Sequence, residues 1–472
     1  MKVKYKKLAK NVMLFAIGSF GSKAISFLLI PLYTSVLNTN DYGIVDLINT
    51  TVSLLLPILL LSITDATLRF SMDDNYKKED VLSSTIKVIV RGSLLLLLGI
   101  LFVSLTHLIN LQIEYWIFLF LTFLLSALNN CFNLYLKSKN QAKVIAVSGI
   151  VCTLVTCISN IICLLVFKLG INGYMLSIVL GLFIQVIIQI FSNGNIKEIH
   201  IKNYKDVSKE MTEYSKPLIA NSLAWWVNGA SDRYIISWLL GASSNGIYSV
   251  SYKVPTILTT LQSIFYNAWS ISAIAEYDKN DEDGFIGNNY TIYSCISIIG
   301  CSIILLFNLP LAKILYINDY FQAWQCVPFL LIGTIFNGIS QLEGSLFSAT
   351  KRTKDVSTTT VIGAIVNTIG NLILIKLFGI IGAALSTMIG YMVTWILRTF
   401  YLKNMINIKV NWREHVISLI IVIIQAIFAT LNNFFYIQII LAIVNIILYR
   451  RYLKMIFEKM LNRINYKKRN RK

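Results

Sequence analysis

The sequence predicts an all-α, polytopic membrane protein of about fourteen transmembrane helices, built as two pseudo-symmetric six-helix lobes with two helices added. Three observations predict it. Of 472 residues, 56% are hydrophobic and 14% charged, with mean hydropathy +0.66, whereas a soluble chain carries about 25% charged residues. Lysine and arginine collect in alternate short loops and at both ends of the sequence. A pattern in the first half also returns in the second at a nearly constant spacing.

A span needs about 20 mostly apolar residues, and in lipid such a segment satisfies its own backbone only as a helix. The basic start, MKVKYKKLAKN, leads into an apolar run over 11–37 that lacks an A-x-A cleavage pattern, so it is expected to be retained as the first span. The turn NTND and Gly43 introduce the second, 42–66. Spans at 84–106, 113–136, 144–167 and 171–192 complete the first lobe. The second lobe takes 214–240, 246–275, 288–309, 322–349, 356–377 and 380–400. Two more runs, 415–431 and 434–456, precede the basic tail NRINYKKRNRK. The six prolines, Pro31, Pro57, Pro217, Pro255, Pro310 and Pro328, lie in or at the ends of spans, where they kink helices or mark their limits. The seven cysteines show neither CxxC nor a Cys/His ligand spacing and read as small packing residues.

Loop charge sets the orientation. Lys and Arg are frequent in the N-terminus, 67–83, 137–143, 193–213, 350–355, 398–413 and the tail, while the intervening loops hold Lys168, Lys313 and Lys376. By the positive-inside rule both termini are cytoplasmic; the membrane expected is a bacterial cytoplasmic (inner) one. The net charge of +19 therefore marks membrane topology, and no basic soluble domain is present to hold nucleic acid. The repeat appears where LNTNDYGI at Leu37–Ile44 aligns with LGASSNGI at Leu240–Ile247, which places Gly43 opposite Gly246, an offset of 203. LGINGYMLSIVLG at Leu169–Gly181 aligns with FGIIGAALSTMIG at Phe378–Gly390 at offset 209, and Lys139 and Lys143 answer to Thr350 and Lys354 at offset 211. An even number of spans per unit makes the repeats parallel. The expected organisation is an N-lobe over 1–192, a cytoplasmic linker over 193–213, a C-lobe over 214–403, and helices 13 and 14 with the tail over 404–472.

Charges inside the spans point to cargo. Lys23, Arg69, Lys87, Arg91, Arg233 and Lys253 fall within or at the edge of spans, against fewer acids, chiefly Asp65, Asp232 and Glu343. A cation at the centre of a membrane helix costs roughly 2.5–3.5 kcal/mol on insertion scales, so it faces protein or water. Such groups either pair locally and snorkel or line a wet cavity. Lys87 and Arg91, at i,i+4, share one helix face, and Asp65 and Arg69 have the spacing to satisfy each other. Surplus positive charge at several depths suits an anionic headgroup, phosphate above all. Asp65, Asp232 and Glu343 are the candidate proton or sodium sites. No GxxxxGK[ST] motif occurs, so hydrolysis of ATP is not expected of this chain.

The segments GSFGSKAISFLLIPLYTSVLNTNDYGIVDL, DATLRFSMDD and NGASDRYIISWLLGASSNGIYSVSYKVP resemble the Wzx-type polysaccharide-export flippases of the multidrug/oligosaccharidyl-lipid/polysaccharide superfamily. The resemblance covers spans 1–12. It implies two lobes flanking a cavity that opens alternately to each side, as in the multidrug exporters of that superfamily. It implies as cargo a polyprenyl-pyrophosphate-linked oligosaccharide, moved from the cytoplasmic to the outer leaflet for O-antigen or capsule biosynthesis. No cofactor and no catalytic or metal-binding residue is implied; the partners are the bilayer and the polymerase and glycosyltransferases of the same pathway. Lipid II flippases use cavity cations on spans 1, 2 and 8, to which Lys23, Arg69 and Lys253 correspond. Two rival readings are a cation-coupled multidrug exporter, which calls for buried carboxylates, and a membrane polysaccharide polymerase, which calls for a large external loop.

Overall fold

A computed structural model describes residues 21, 23–109, 111–192, 205–275, 277–350, 352–431 and 435–455. They are helical nearly throughout, and a helix stands over the described part of every predicted span. Eight of these helices are long and apolar enough to cross a membrane unaided. The chain divides into two compact units, residues 1–237 with 241–246, and residues 238–240 with 247–472.

In the first unit α1 (Lys23–Val36) is followed by α2 (Thr39–Leu59), whose first turn is capped by Asn38 accepting from the Asp41 amide at 2.7 Å. A second helix, α3 (Ile63–Ser71), follows after a turn at 60–62. The predicted span 42–66 is thus broken. Pro57 removes one amide donor, and Leu61 and Ser62 take left-handed backbone angles, φ 53° and 51°. Two successive non-glycine residues there cost on the order of 1–3 kcal/mol each. Gly92 accommodates the break, since a Cβ on it would stand 2.7 Å from Leu60 Cδ2 and 2.8 Å from Leu59 O. Helices α4 (Lys78–Leu105), α5 (Ile113–Ser138), α6 (Ala142–Val166, ending in a π-turn from Ile162) and α7 (Gly170–Phe191) complete the bundle. The long α8 (Lys205–Leu240) begins well before the predicted start at 214 and packs on α2. There Trp226 Nε1 donates to Thr50 O and Ser53 Oγ, both at 3.1 Å, and Tyr234 bonds Thr51.

Helix α9 (Ala242–Ser251) gives its first residues to this unit. Gly43 and Gly246 meet backbone to backbone, leaving no room for a Cβ on either beside Ala242 O or Thr39 O. Thr39 Oγ1 bonds Ser243 Oγ at 2.6 Å, and Asn245 Nδ2 donates to Gly43 O at 3.0 Å.

In the second unit the predicted span 246–275 is interrupted at Tyr252–Val254 before α10 (Pro255–Ala275). Then follow α11 (Phe285–Leu306), α12 (Asn308–Leu315), a 3-10 segment Asn318–Gln325, and α13 (Val327–Ala349) bent 49° from it. The stretch Thr353–Lys403, α14, holds both predicted spans, separated at Gly379 (φ 60°, ψ −140°), a conformation open essentially to glycine alone. Helices α15 (Trp412–Leu431) and α16 (Phe435–Leu448) follow, and Gln425 of α15 joins α11 by donating to Ser302 O at 3.0 Å. The acidic loop before α11 spends its carboxylates on backbone amides. Buried Asp281 accepts from Ile286, Gly287 and Lys409 at 2.9, 2.9 and 3.0 Å, tying this loop to the segment before α15.

The sequence repeat has a physical counterpart within each unit. A Cβ on Gly181 would overlap Thr156 Oγ1 and come within 3.0 Å of Cys152 O. On Gly390 it would stand 2.8 Å from Asn367 Cβ and 3.0 Å from Gly363 O. Gly390 follows Gly181 by 209 residues, and Gly363 and Asn367 follow Cys152 and Thr156 by 211, the two offsets read from the sequence. The same helix crossing, with the same glycine at its centre, is made twice.

Candidate functional site

Positive charge gathers in a groove of about 410 Å³ in the first unit, lined by Lys87, Arg91, Ser208, Lys209, Thr212, Glu213 and Lys216. Lys87 and Arg91 project from one face of α4, as their i,i+4 spacing requires. Lys209 and Lys216 stand two turns apart on α8 and share its face with Thr212 and Glu213. Sequence reasoning missed both: it put Lys209 in the linker over 193–213 and did not weigh Lys216 at the start of the span 214–240; the polar spacing 209, 212, 213 and 216 is the helical signal that finds them. Four cations face one carboxylate here, an arrangement that attracts anions.

The other predicted cations are dispersed. Arg69, its side chain 61% exposed, pairs with Asp73 at 3.8 Å, one turn towards the loop, so the expected pairing with Asp65 is replaced by this one. Beside it Tyr76 donates to Glu210, a contact that raises the tyrosine pKa above its ordinary value. Lys23 is exposed on α1, and Lys253 is half-buried in the turn before α10; neither makes an ion pair among the described residues. Arg233 is committed elsewhere. Its Nε lies 3.1 Å from Asp46 Oδ2 and its Nη1 3.7 Å from Asp232 Oδ1, with a 3.0 Å bond to Gly229 O. Asn245 Nδ2 approaches the same Asp46 oxygen at 3.4 Å. Asp46 escaped the sequence reading because its partner lies 187 residues away.

The acids differ as sharply. Asp232 is buried and held by Arg233. Glu343, on α13, is fully buried; its Oε1 accepts from Thr399 Oγ1 at 2.7 Å and Tyr290 Oη at 3.3 Å, while Oε2 has no hydrogen-bond partner. Beside it stands Arg398, 2% exposed. Its guanidinium donates to Ser340 O (2.7 Å), Thr360 Oγ1 (2.7 Å), Thr359 Oγ1 (3.1 Å) and Val356 O (3.3 Å). The sequence reading assigned Arg398 to a cytoplasmic loop; the helix carries on to Lys403 and takes it into the core. Asp65 lines a separate cavity in the first unit. Among the described residues no cluster of His, Cys, Asp and Glu is arranged to hold a metal ion.

Comparison with known proteins bears on this arrangement. A profile of the family described as "Polysaccharide biosynthesis protein" matches residues 8–269 and again 246–447. A Haloferax volcanii protein described as "Probable low-salt glycan biosynthesis flippase Agl15" is 25% identical over 211 residues, 44% of each chain. An uncharacterized membrane protein of Methanocaldococcus jannaschii is 28% identical over 245 residues, 48% of this chain and 57% of its own. The chain thus spans about half the length of these relatives. Among solved structures, the lipid II flippase MurJ in an inward closed conformation superposes with TM-score 0.68, at 16% identity, over 95% of this chain and all of that one. An inward-facing multidrug resistance MATE family transporter of the MOP superfamily gives 0.67 at 11% identity, over 81% of this chain and 94% of its own. At such identities the likeness is one of fold.

Proposed function

Because the chain belongs to the polysaccharide biosynthesis protein family, we propose that it flips a lipid-linked oligosaccharide with an anionic pyrophosphate headgroup from the cytoplasmic to the outer leaflet. The observation that carries this reading is the groove of Lys87, Arg91, Lys209 and Lys216. Its single guanidinium offers a planar fork to phosphate oxygens, and its three ammonium groups supply charge at movable positions. On the predicted orientation the groove lies towards the cytoplasmic face, where the cargo is made. Lys23, Arg69 and Lys253 would then meet the headgroup at later stages, and Arg233 serves the Asp46 pairing. Glycosyltransferases supply such a cargo and a polymerase consumes it.

The groove disfavours a multidrug exporter of cationic compounds, since it would repel them. Substituting Lys87 and Arg91 together by Gln removes two charges from partly or fully exposed positions. Glycan export should fall about ten- to a hundredfold at unchanged protein abundance, the loss expected for contacts to a charged group. Export at the wild-type rate in this variant would sink the headgroup role.

A further inference from the structure

We propose that the break between α2 and α3 is a binding site for a monovalent alkali cation, with the Asp65 carboxylate and the Ser62 hydroxyl as ligands. The break opens onto a cavity of about 270 Å³ lined by Ser53, Ser62, Thr64, Asp65, Asn130 and Ser222, with Leu56, Pro57 and Leu60 forming its apolar wall. Every polar group in this lining except the carboxylate is a neutral hydroxyl or amide, so it offers one negative charge and several hard oxygen donors. Ser62 is 3% exposed, yet its Oγ has no hydrogen-bond partner. A buried hydroxyl in that state, sharing a lining with a carboxylate, calls for a further ligand-binding partner. Asp65 makes no ion pair among the described residues, because Arg69, one turn on, turns to Asp73. Discontinuous membrane helices supply the oxygen atoms of cation sites where an unbroken helix cannot.

The lining also rejects other occupants. An anionic headgroup would meet Asp65 with no cation in the wall. A sugar ring has no aromatic face there on which to stack. A divalent ion would find one carboxylate where it generally needs more. The cavity exceeds a bare ion and has room for several waters, each taking about 30 Å³, so the cation would be bound partly hydrated.

The site contains its own reporter. Trp226 Nε1 donates to Ser53 Oγ at 3.1 Å, and Ser53 lines the cavity. The test needs no glycan and so does not depend on the transport reading. The purified full chain in detergent is titrated with sodium chloride against choline chloride at constant ionic strength. Thermal unfolding and tryptophan emission are followed in the wild type and in Asp65→Asn, Ser62→Ala and Trp226→Phe. A saturable rise in Tm with sodium, absent in choline, is expected. It should vanish in Asp65→Asn, which keeps the shape and removes the charge, and need about tenfold more sodium in Ser62→Ala. The emission change should vanish in Trp226→Phe while the Tm response remains. A wild type that does not distinguish sodium from choline overturns the proposal, as does one that answers only to calcium or magnesium. An undiminished sodium response in Asp65→Asn overturns it equally. Should Asp65→Asn fail to fold, Ser62→Ala decides, and an unchanged sodium midpoint there counts against the site.

Discussion

Arg398 and Glu343 show what a single side chain can fix inside this protein. The guanidinium joins α13 to both limbs of α14 through four hydrogen bonds, and it stands beside a carboxylate with one unsatisfied oxygen. Removing the guanidinium leaves the buried oxygens it serves without that donor, at about 1–3 kcal/mol for each left unsatisfied, and takes a positive charge from beside Glu343. Arg398→Met should therefore lower the thermal midpoint strongly, and Glu343→Gln in the same chain should recover part of it; additive losses in the double variant would show that the two charges are independent. A milder pH effect belongs to Asp278, which accepts from the Glu282 and Asn280 amides at 2.6 and 3.1 Å and is held below the ordinary aspartate value by those bonds. A depressed folded-state pKa contributes stability that is full above the unfolded value, about 3.9, and is lost as pH falls through the lower folded one. Hydrogen exchange in the peptide 277–287 should thus stay protected down to that range and open below it, whereas in Asp278→Ala it should be open throughout. The sequence disclosed that cations outnumber acids in the spans, because sign and position are written in it. It did not disclose the partners. Asp46 meets Arg233, and Arg398 meets Ser340, across separations that no periodicity records.

At the scale of helices, apolar length put a helix over the described part of each predicted span and misjudged continuity. The breaks at Leu60–Ser62 and Tyr252–Val254 lie inside stretches hydrophobic enough to read as one helix. Pro57 and Pro255 stand next to them, but a proline alone does not distinguish a kink from a stop. Gly379 was easier to place, since it separates two apolar runs in a chain whose repeat demands a turn there. Its φ of 60° with ψ −140° is strained for any side chain, and Gly379→Ala should cost about 1–3 kcal/mol, read as a lower thermal midpoint with helix content retained. The groove shows the other kind of shortfall. Lys87 and Arg91 were recognised as one face of α4, but the wall opposite came from a helix that the sequence reading began nine residues late.

For the whole molecule, orientation is the property that function depends on most. The alternation of basic loops predicts that a cysteine placed at Asn203 is labelled from the cytoplasm alone; labelling by an impermeant reagent added outside intact cells would reverse the topology and put the groove on the wrong face for its cargo. The repeat, by contrast, was legible at its glycine contacts, because close helix crossings demand glycine and glycine is visible in one dimension. Its consequence is plainest where Gly43 meets Gly246. Gly43 faces Ala242, the counterpart of Thr39 at the 203-residue offset, and Gly246 faces Thr39 itself. The contact is its own inverse, the relation that a two-fold axis imposes on identical subunits. A chain of half this length pairing with a second copy would make the same junction from one glycine. Within one chain each half is free to differ: Asn245 reaches Asp46, while its counterpart Tyr42 sets its ring 5.7 Å from that of Tyr174 in a tilted pair. A homodimer cannot make that division of labour, and a fused chain can.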